Sequence, residues 1–315
     1  MAVRTGSRAD IDAAVQRALL RGSRGTDTWG LVFQGALLLA LLVSLVVLVT
    51  LIAEALRDGV PVYMERGVDF ITSNVSSLPE RAGVWQGIRG SLTIILFVMV
   101  LSLPLGIGAA VYMEEYARDT KVTRVINANI RNLAGVPSIV YGLLGIALFV
   151  QFAALTPLTG GRSVVSAGLT MSILVLPIVI ITSAEALRAV PRSIREAAFG
   201  VGATRSETVR SHVLPYALPG IFTGTILTLA RAFGEAAPLI MIGASTGFLS
   251  QGAGSFVERL QGPYTALPVL VYDFAGRNLR AFQASTAAAV LALLAVLLLV
   301  NATAIVLRNR YERKW

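Results

Sequence analysis

The chain has 315 residues, 55% of them hydrophobic and only 14% charged, with a mean hydropathy of +0.71. That composition excludes an ordinary soluble domain of this size and points to a membrane-embedded protein. The formal charge of +9 does not signal nucleic-acid binding, because no soluble basic face is evident, and the absence of cysteine excludes disulfides, thiol catalysis and iron–sulfur ligation.

Residues 1–28 are polar and lack the short apolar core and small-residue cleavage site of a signal peptide. Within this cytoplasmic segment, Ser7 and Asp10 are candidate caps for a helix with Ile11, Ala14, Val15, Ala18 and Leu19 along one stripe. Such a helix would lie on the membrane surface; an unfolded tail is the alternative. Beyond it, apolar runs near the ~20 residues that cross a bilayer recur as Trp29–Ile52, Gly87–Met113, Ile130–Phe152, Val164–Ala186, Leu218–Ala244 and Ala284–Leu307. The expected fold is therefore all-α and polytopic: six transmembrane helices over residues 29–310, followed by a tail at 311–315. The middle four spans contain Pro104, Pro137, Pro177 and Pro238. Each proline frees a backbone carbonyl, which suggests bent helices around a protein-lined path; the plain frequency of proline in membrane helices is the other reading.

Lysine and arginine set the orientation. Eighteen of the 27 lie before the first span, beside spans two and three, between spans four and five, or after the last; eight lie on the opposite side, and Arg231 falls inside a span. Both termini are thereby placed in the cytoplasm.

Between spans four and five the chain reads Arg195-Glu196-Ala197-Ala198-Phe199-Gly200-Val201-Gly202-Ala203-Thr204, closed by Leu214-Pro215. Alanine and glutamate favour a short helix. Gly202 is free to adopt positive φ and end it. Thr204 is placed to cap a second short helix, with Glu207 as its reciprocal capping-box partner. The outcome is a compact helical knob over about 188–215, facing the cytoplasm. It resembles the EAA loop by which ABC-importer permeases dock on their ATPase subunit.

No P-loop can be written. The only lysines are Lys121 and Lys314, and neither follows a glycine, so any ATP hydrolysis belongs to another chain. The single histidine, His212, excludes two-histidine zinc motifs, and its plain reading is a solvated or interface residue.

Four further segments sharpen the resemblance: Leu103-Pro104-Leu105-Gly106-Ile107-Gly108-Ala109-Ala110-Val111-Tyr112-Met113-Glu114-Glu115-Tyr116; Gly135-Val136-Pro137-Ser138-Ile139-Val140-Tyr141-Gly142-Leu143; Glu185 to Pro191; and Pro219-Gly220-Ile221 running on to Ala230-Arg231-Ala232-Phe233-Gly234-Glu235-Ala236-Ala237-Pro238-Leu239. Over roughly residues 30–310 the chain is similar to the permeases of the Pst-type phosphate ABC importer, A-type subunit. That resemblance implies a type I ABC-importer permease fold in the cytoplasmic membrane. It also implies a complex with a second, C-type permease, an ATPase dimer that holds ATP and Mg, and an extracytoplasmic phosphate-binding protein. No cofactor is implied for this chain. Glu196, Ala197, Ala198, Gly202, Ala203, Thr204, Leu214 and Pro215 would then form the ATPase-coupling element. Three positions depart from the pattern: Ile181 where some relatives carry arginine, Ser206 in place of tryptophan, and His212 in place of an aliphatic residue.

Arg231 and Glu235 are the only charges deep in an expected span, and their spacing of four places them on one helix face. A central charge costs roughly 2.5–3.5 kcal/mol on insertion scales, so such groups pair or face water. Either Arg231 contacts the phosphate anion while Glu235 positions it, or the two form a structural ion pair. Ser138 and Tyr141 are weaker candidates for the substrate path, and ordinary helix-to-helix hydrogen bonding explains them as well. Asn132 and Arg131 read as cap or anchor. Ala266–Tyr272 is too short to span and reads as a re-entrant segment or a packed surface helix. Two other functions stay open at this point: a permease for sulfate or molybdate, and a proton-coupled secondary transporter in which Glu235 titrates.

Overall fold

The computed structural model describes residues 28–152, 154–244, 255–277 and 280–311. The candidate N-terminal helix on Ile11 to Leu19, and the tail beyond residue 311, lie outside the described residues. Every regular element among the described residues is helical. Among the described residues, five helices are long and apolar enough to cross a membrane, and a bent pair makes a sixth candidate.

Contacts divide the chain into residues 1–54 and 55–315. The boundary falls inside the first helix, α1 (Thr28–Arg66). The apolar run expected to end at Ile52 does end there, but the helix does not. Ala53, Glu54, Ala55, Leu56 and Arg57 are good helix formers, so polarity stops the hydrophobic run without stopping the helix. In the first unit the described side chains of α1 are almost all exposed.

The second unit holds the core. After the last turns of α1 and the short α2 (Asp69–Thr72) comes α3 (Trp85–Val111), which passes into a π-helical turn over Tyr112–Tyr116. Next come α4 (Lys121–Ala134) and α5 (Ser138–Gly145) with its π-helical extension Ile146–Gln151. The short α6 (Thr156–Thr159) leads into α7 (Val164–Arg188). Then follow α8 (Arg192–Gly200), α9 (Arg205–Thr208) with a π turn at Val209–Val213, and α10 (Leu214–Phe233). The chain closes with α11 (Ala237–Ile242), α12 (Phe256–Leu260), α13 (Leu267–Gly276) and α14 (Arg280–Tyr311).

The axis of this unit is α7, which packs most extensively on α3 and then on α10. Glycines allow the approach: a Cβ on Gly106 would sit 2.6 Å from Val179, and one on Gly224 2.6 Å from Thr182. Small residues bring membrane helices close enough for backbone packing to hold them, where lipid supplies no hydrophobic drive. The last turns of α1 pack on α14 in the same way, with Tyr63 donating to the Ala288 carbonyl at 2.7 Å. Of the prolines, Pro104 and Pro177 lie inside continuous helices, whereas Pro137 and Pro238 stand at breaks.

Those breaks correct two expected spans. Ile130–Phe152 is not one helix: Lys121–Ala134 and Ser138–Gln151 meet at 100° across Gly135-Val136-Pro137. Proline removes a donor and biases the preceding residue away from the α conformation, so the chain turns there. Leu218–Ala244 is likewise interrupted, because α10 ends at Phe233 and α11 begins at Ala237. The segment Ala266–Tyr272 belongs to α13, a packed helix whose Leu267, Leu270 and Phe274 are fully buried against α3 and α14.

Candidate functional site

Two places gather the residues singled out from sequence: the hairpin α8–α9, and the break between α10 and α11. In the hairpin, Pro191 stands before the first turn of α8 and pre-sets the chain entering it. The helix ends in a Schellman motif. Gly202 N–H donates to the Phe199 carbonyl at 3.0 Å, Ala203 N–H donates to the Ala198 carbonyl at 3.0 Å, and Gly202 has φ +87°. The expected capping box is present: the Glu207 N–H bonds Thr204 Oγ1 at 3.4 Å, and the Thr204 N–H bonds Glu207 Oε2 at 2.8 Å. Ser206, one of the departures, places its hydroxyl 3.2 Å from Thr204 Oγ1, and His212 is exposed on the π turn. That π turn immediately precedes Pro215, which lacks an amide hydrogen and crowds the preceding turn.

Ala198 faces inward and is buried, while Glu196 and Ala197 are exposed. At the tip, Phe199 and Val201 are 50% and 85% exposed, an apolar pair that no described residue covers. Beneath the hairpin lies a separate hydrophobic cluster built on Ala110, Ile180, Leu187, Val190, Val213 and Ile221, with Leu214 packed against it. Glu196 makes no hydrogen bond or ion pair among the described residues. The residue that ties the knob down is its neighbour Arg195, which bonds Glu115 and the carbonyls of Leu187 and Val190. Sequence reading missed this role because Glu115 lies 80 residues away.

At the second place, Arg231 is in the last turn of α10 and Glu235 is in the break, not on a continuing helix face. Arg231 Nε stands 3.8 Å from Glu235 Oε1, so the pair is loose. The Arg231 side chain is 66% exposed and that of Glu235 20%. The arginine is therefore largely available to something outside this chain. Gly142 of α5 packs directly on α11, since a Cβ there would lie 2.8 Å from Pro238 Cα. Tyr141 beside it is buried, and its hydroxyl donates to the Leu133 carbonyl at 2.9 Å across the 100° bend. The Leu133 carbonyl also accepts the Val136 N–H at 3.1 Å, so the tyrosine adds a second bond across the bend. Ser138 is half-buried at the start of α5, and no hydrogen bond among the described residues links it or Tyr141 to Arg231 or Glu235. Ile181 is half-buried within α7. A cleft of about 530 Å³ opens between α11 and α13, but its charges are satisfied internally: Arg277 bonds Asp273 at 2.6 Å and donates to the Ser76 carbonyl.

The spans and the capped hairpin together define a polytopic helical membrane protein with a packed helical knob. Solved structures agree in fold. A chain of the inward-facing MetNI methionine ABC transporter matches with a TM-score of 0.54 at 19% identity, over 73% of this chain and 95% of that one. A chain of a bacterial alginate ABC importer matches with a TM-score of 0.54 at 14% identity, over 91% and 99%. Residues 102–315 match the family described as binding-protein-dependent transport system inner membrane component, and the chain belongs to that family. Among its relatives is the probable ABC transporter permease protein YqgI of Bacillus subtilis (strain 168), 34% identical over 64% of this chain and 65% of the relative. YqgH of the same strain is 34% identical over 58% of this chain and 60% of the relative. The phosphate transport system permease protein PstA of Xylella fastidiosa (strain 9a5c) is 32% identical over 78% and 82%. The chain thus spans less than two thirds of the first two relatives and most of the third.

Proposed function

We propose that this chain is the A-type permease subunit of an ATP-driven importer of inorganic phosphate. It forms half of the pore beside a C-type permease, docks on an ATPase dimer that holds ATP and Mg, and receives phosphate from an extracytoplasmic binding protein. The observation that carries the reading is the hairpin: an apolar tip at Phe199 and Val201, exposed among the described residues and rigidly capped at Gly202 and Thr204. A partner with a matching apolar groove fits that tip. The identity of the anion rests on the similarity to the Xylella PstA protein, and is supported by the exposed Arg231, whose planar fork suits two phosphate oxygens. The chain contributes no bond-making chemistry; its work is alternating access, with ATPase closure drawing the two hairpins together.

The test is reconstitution of this chain with its ATPase, second permease and binding protein in vesicles. Labelled phosphate is expected to accumulate with ATP and without a proton gradient, and not to be displaced by excess sulfate or molybdate. Accumulation driven by a proton gradient, or preference for another oxyanion, overturns the reading.

A further inference from the structure

Three consecutive side chains in the π turn that ends α3 each take an arginine from a different part of the hairpin and its root. Glu114 accepts from Arg188, the last residue of α7, with Nε–Oε2 2.9 Å and Nη2–Oε1 2.5 Å. Glu115, only 6% exposed, accepts from Arg195 of α8 at 2.6 Å. Tyr116 lies under Arg205 of α9, whose guanidinium carbon is 5.5 Å from the ring centroid. The π turn makes this possible. It carries one more residue per turn than an α-helix, closed here by the Ala117 N–H to Tyr112 carbonyl bond of 2.8 Å. Side chains 114, 115 and 116 therefore fan out around the helix end and meet three elements at once.

The middle contact is built to resist shear. Arg195 spends its fork on the Glu115 carboxylate and on the carbonyls of Val190 and Leu187, at 2.9 and 3.0 Å. Leu187 lies in the last turn of α7 and Val190 just beyond its end, and the Leu187 carbonyl also accepts the Val190 N–H at 3.3 Å. One guanidinium therefore fastens α7, α8 and the end of α3 to each other. Charge-assisted bonds of this kind are stronger than neutral ones and hold their geometry. The apolar cluster under the hairpin adds Ala110 of α3 to the same joint.

We infer that the turn Glu114-Glu115-Tyr116 is the transmission joint of this permease: it makes α3 move as one body with the α8–α9 hairpin. The inference rests on the hairpin being the ATPase dock. A hairpin held only by its flanking chain would swing without turning the membrane helices. Held by three arginine contacts on one turn, it carries α3 with it, and through the α3–α7 packing it carries the axis of the bundle.

The chain lacks cysteine, so single cysteines accept spin labels directly. With labels at Val201→Cys and Leu96→Cys, both exposed positions, the full-length chain is expected to give one narrow distance distribution. Glu115→Gln keeps the shape of the side chain and removes its charge, and is expected to widen that distribution at least about twofold. In the reconstituted complex the same variant is expected to co-purify with the ATPase at the native level, while phosphate taken up per ATP hydrolysed falls about fivefold or more. If Glu115→Gln does not fold, the double variant Glu114→Gln with Tyr116→Leu touches only the outer two contacts and is expected to show both effects more weakly. An unchanged distance width, or an unchanged uptake-to-hydrolysis ratio, overturns the joint. The distance measurement needs neither ATPase nor phosphate, so a native complex that moves no phosphate defeats the functional reading and leaves the joint to be judged by its own result.

Discussion

A guanidinium two-thirds exposed at the end of α10, with its nearest carboxylate 3.8 Å away, is a weakly committed cation. Arg231→Ala is expected to lower phosphate uptake about a hundredfold or more while the complex still assembles, because removing the arginine leaves Glu235 to repel the anion. Changing Glu235 to Ala as well removes the lone charge, and assembly is expected to be at least as good as in the single variant. Uptake is expected to stay low. Labelled-phosphate uptake at matched expression decides, and near-normal uptake in the double variant makes the pair structural. Tyr141 supplies the contrast, since its hydroxyl is already occupied by the Leu133 carbonyl. Tyr141→Phe is expected to lose about 1 kcal/mol of stability and to keep uptake within about twofold, measured by thermal unfolding in detergent and by transport. The spacing of Arg231 and Glu235 implied one shared helix face, whereas the helix ends at Phe233 and leaves the two 3.8 Å apart across its end. The break beneath them was not legible, because a glycine within an apolar run does not by itself reveal a helix end.

Among the elements, the hairpin was readable almost residue by residue because its determinants are local. A positive-φ glycine, a cap and a glutamate three residues on act within one or two turns and need no tertiary partner. Gly202 has open space around it, so substitution there is resisted by the backbone alone. Gly202→Ala is expected to cost the hairpin about 1–2 kcal/mol for placing a Cβ in the left-handed region. Gly202→Asp adds a charge at the proposed ATPase interface and is expected to abolish transport-coupled hydrolysis with normal membrane insertion; co-purification with the ATPase is the measurement, and native yields remove the hairpin from the docking role. The third span was read as a proline-bent crossing, but the size of its bend was not legible, for the opposite reason. Apolar residues continue from Ile130 to Phe152, but α4 is amphipathic, with Val122, Val125, Ile126 and Leu133 exposed and polar groups at Arg124, Asn127 and Arg131. Hydrophobicity alone carries no information about direction, and Gly135-Val136-Pro137 turns the chain through 100° within that run. The three arginine contacts on the π turn were invisible for a third reason: their partners lie tens of residues apart, and nothing local marks an arginine that will cap another helix.

For the molecule as a whole, the all-helical membrane architecture followed from the sequence because the bilayer is a severe solvent. It requires internally satisfied backbone over each crossing. No such constraint names the subunits that must complete the machine. Lys121 and Lys314 are the chain's only lysines and neither follows a glycine, so the phosphate-cradling loop of an ATPase cannot be formed from it. The purified chain is therefore expected to hydrolyse no ATP above background, and hydrolysis is expected only once an ATPase subunit is added. The exposed Glu196, which has no partner among the described residues, extends the prediction. If it meets a basic group on the ATPase, Glu196→Lys turns an attraction into a repulsion, while Arg195 still anchors the hairpin through Glu115. The variant is then expected to insert normally, to bind the ATPase several-fold more weakly at low salt, and to regain part of that binding at high salt, where the like-charge repulsion is screened. Titrating ATPase co-purification against ionic strength for the native chain and for Glu196→Lys separates these cases. A native interaction indifferent to salt, together with a variant that binds normally, would show that the dock is carried by the apolar tip of Phe199 and Val201 alone.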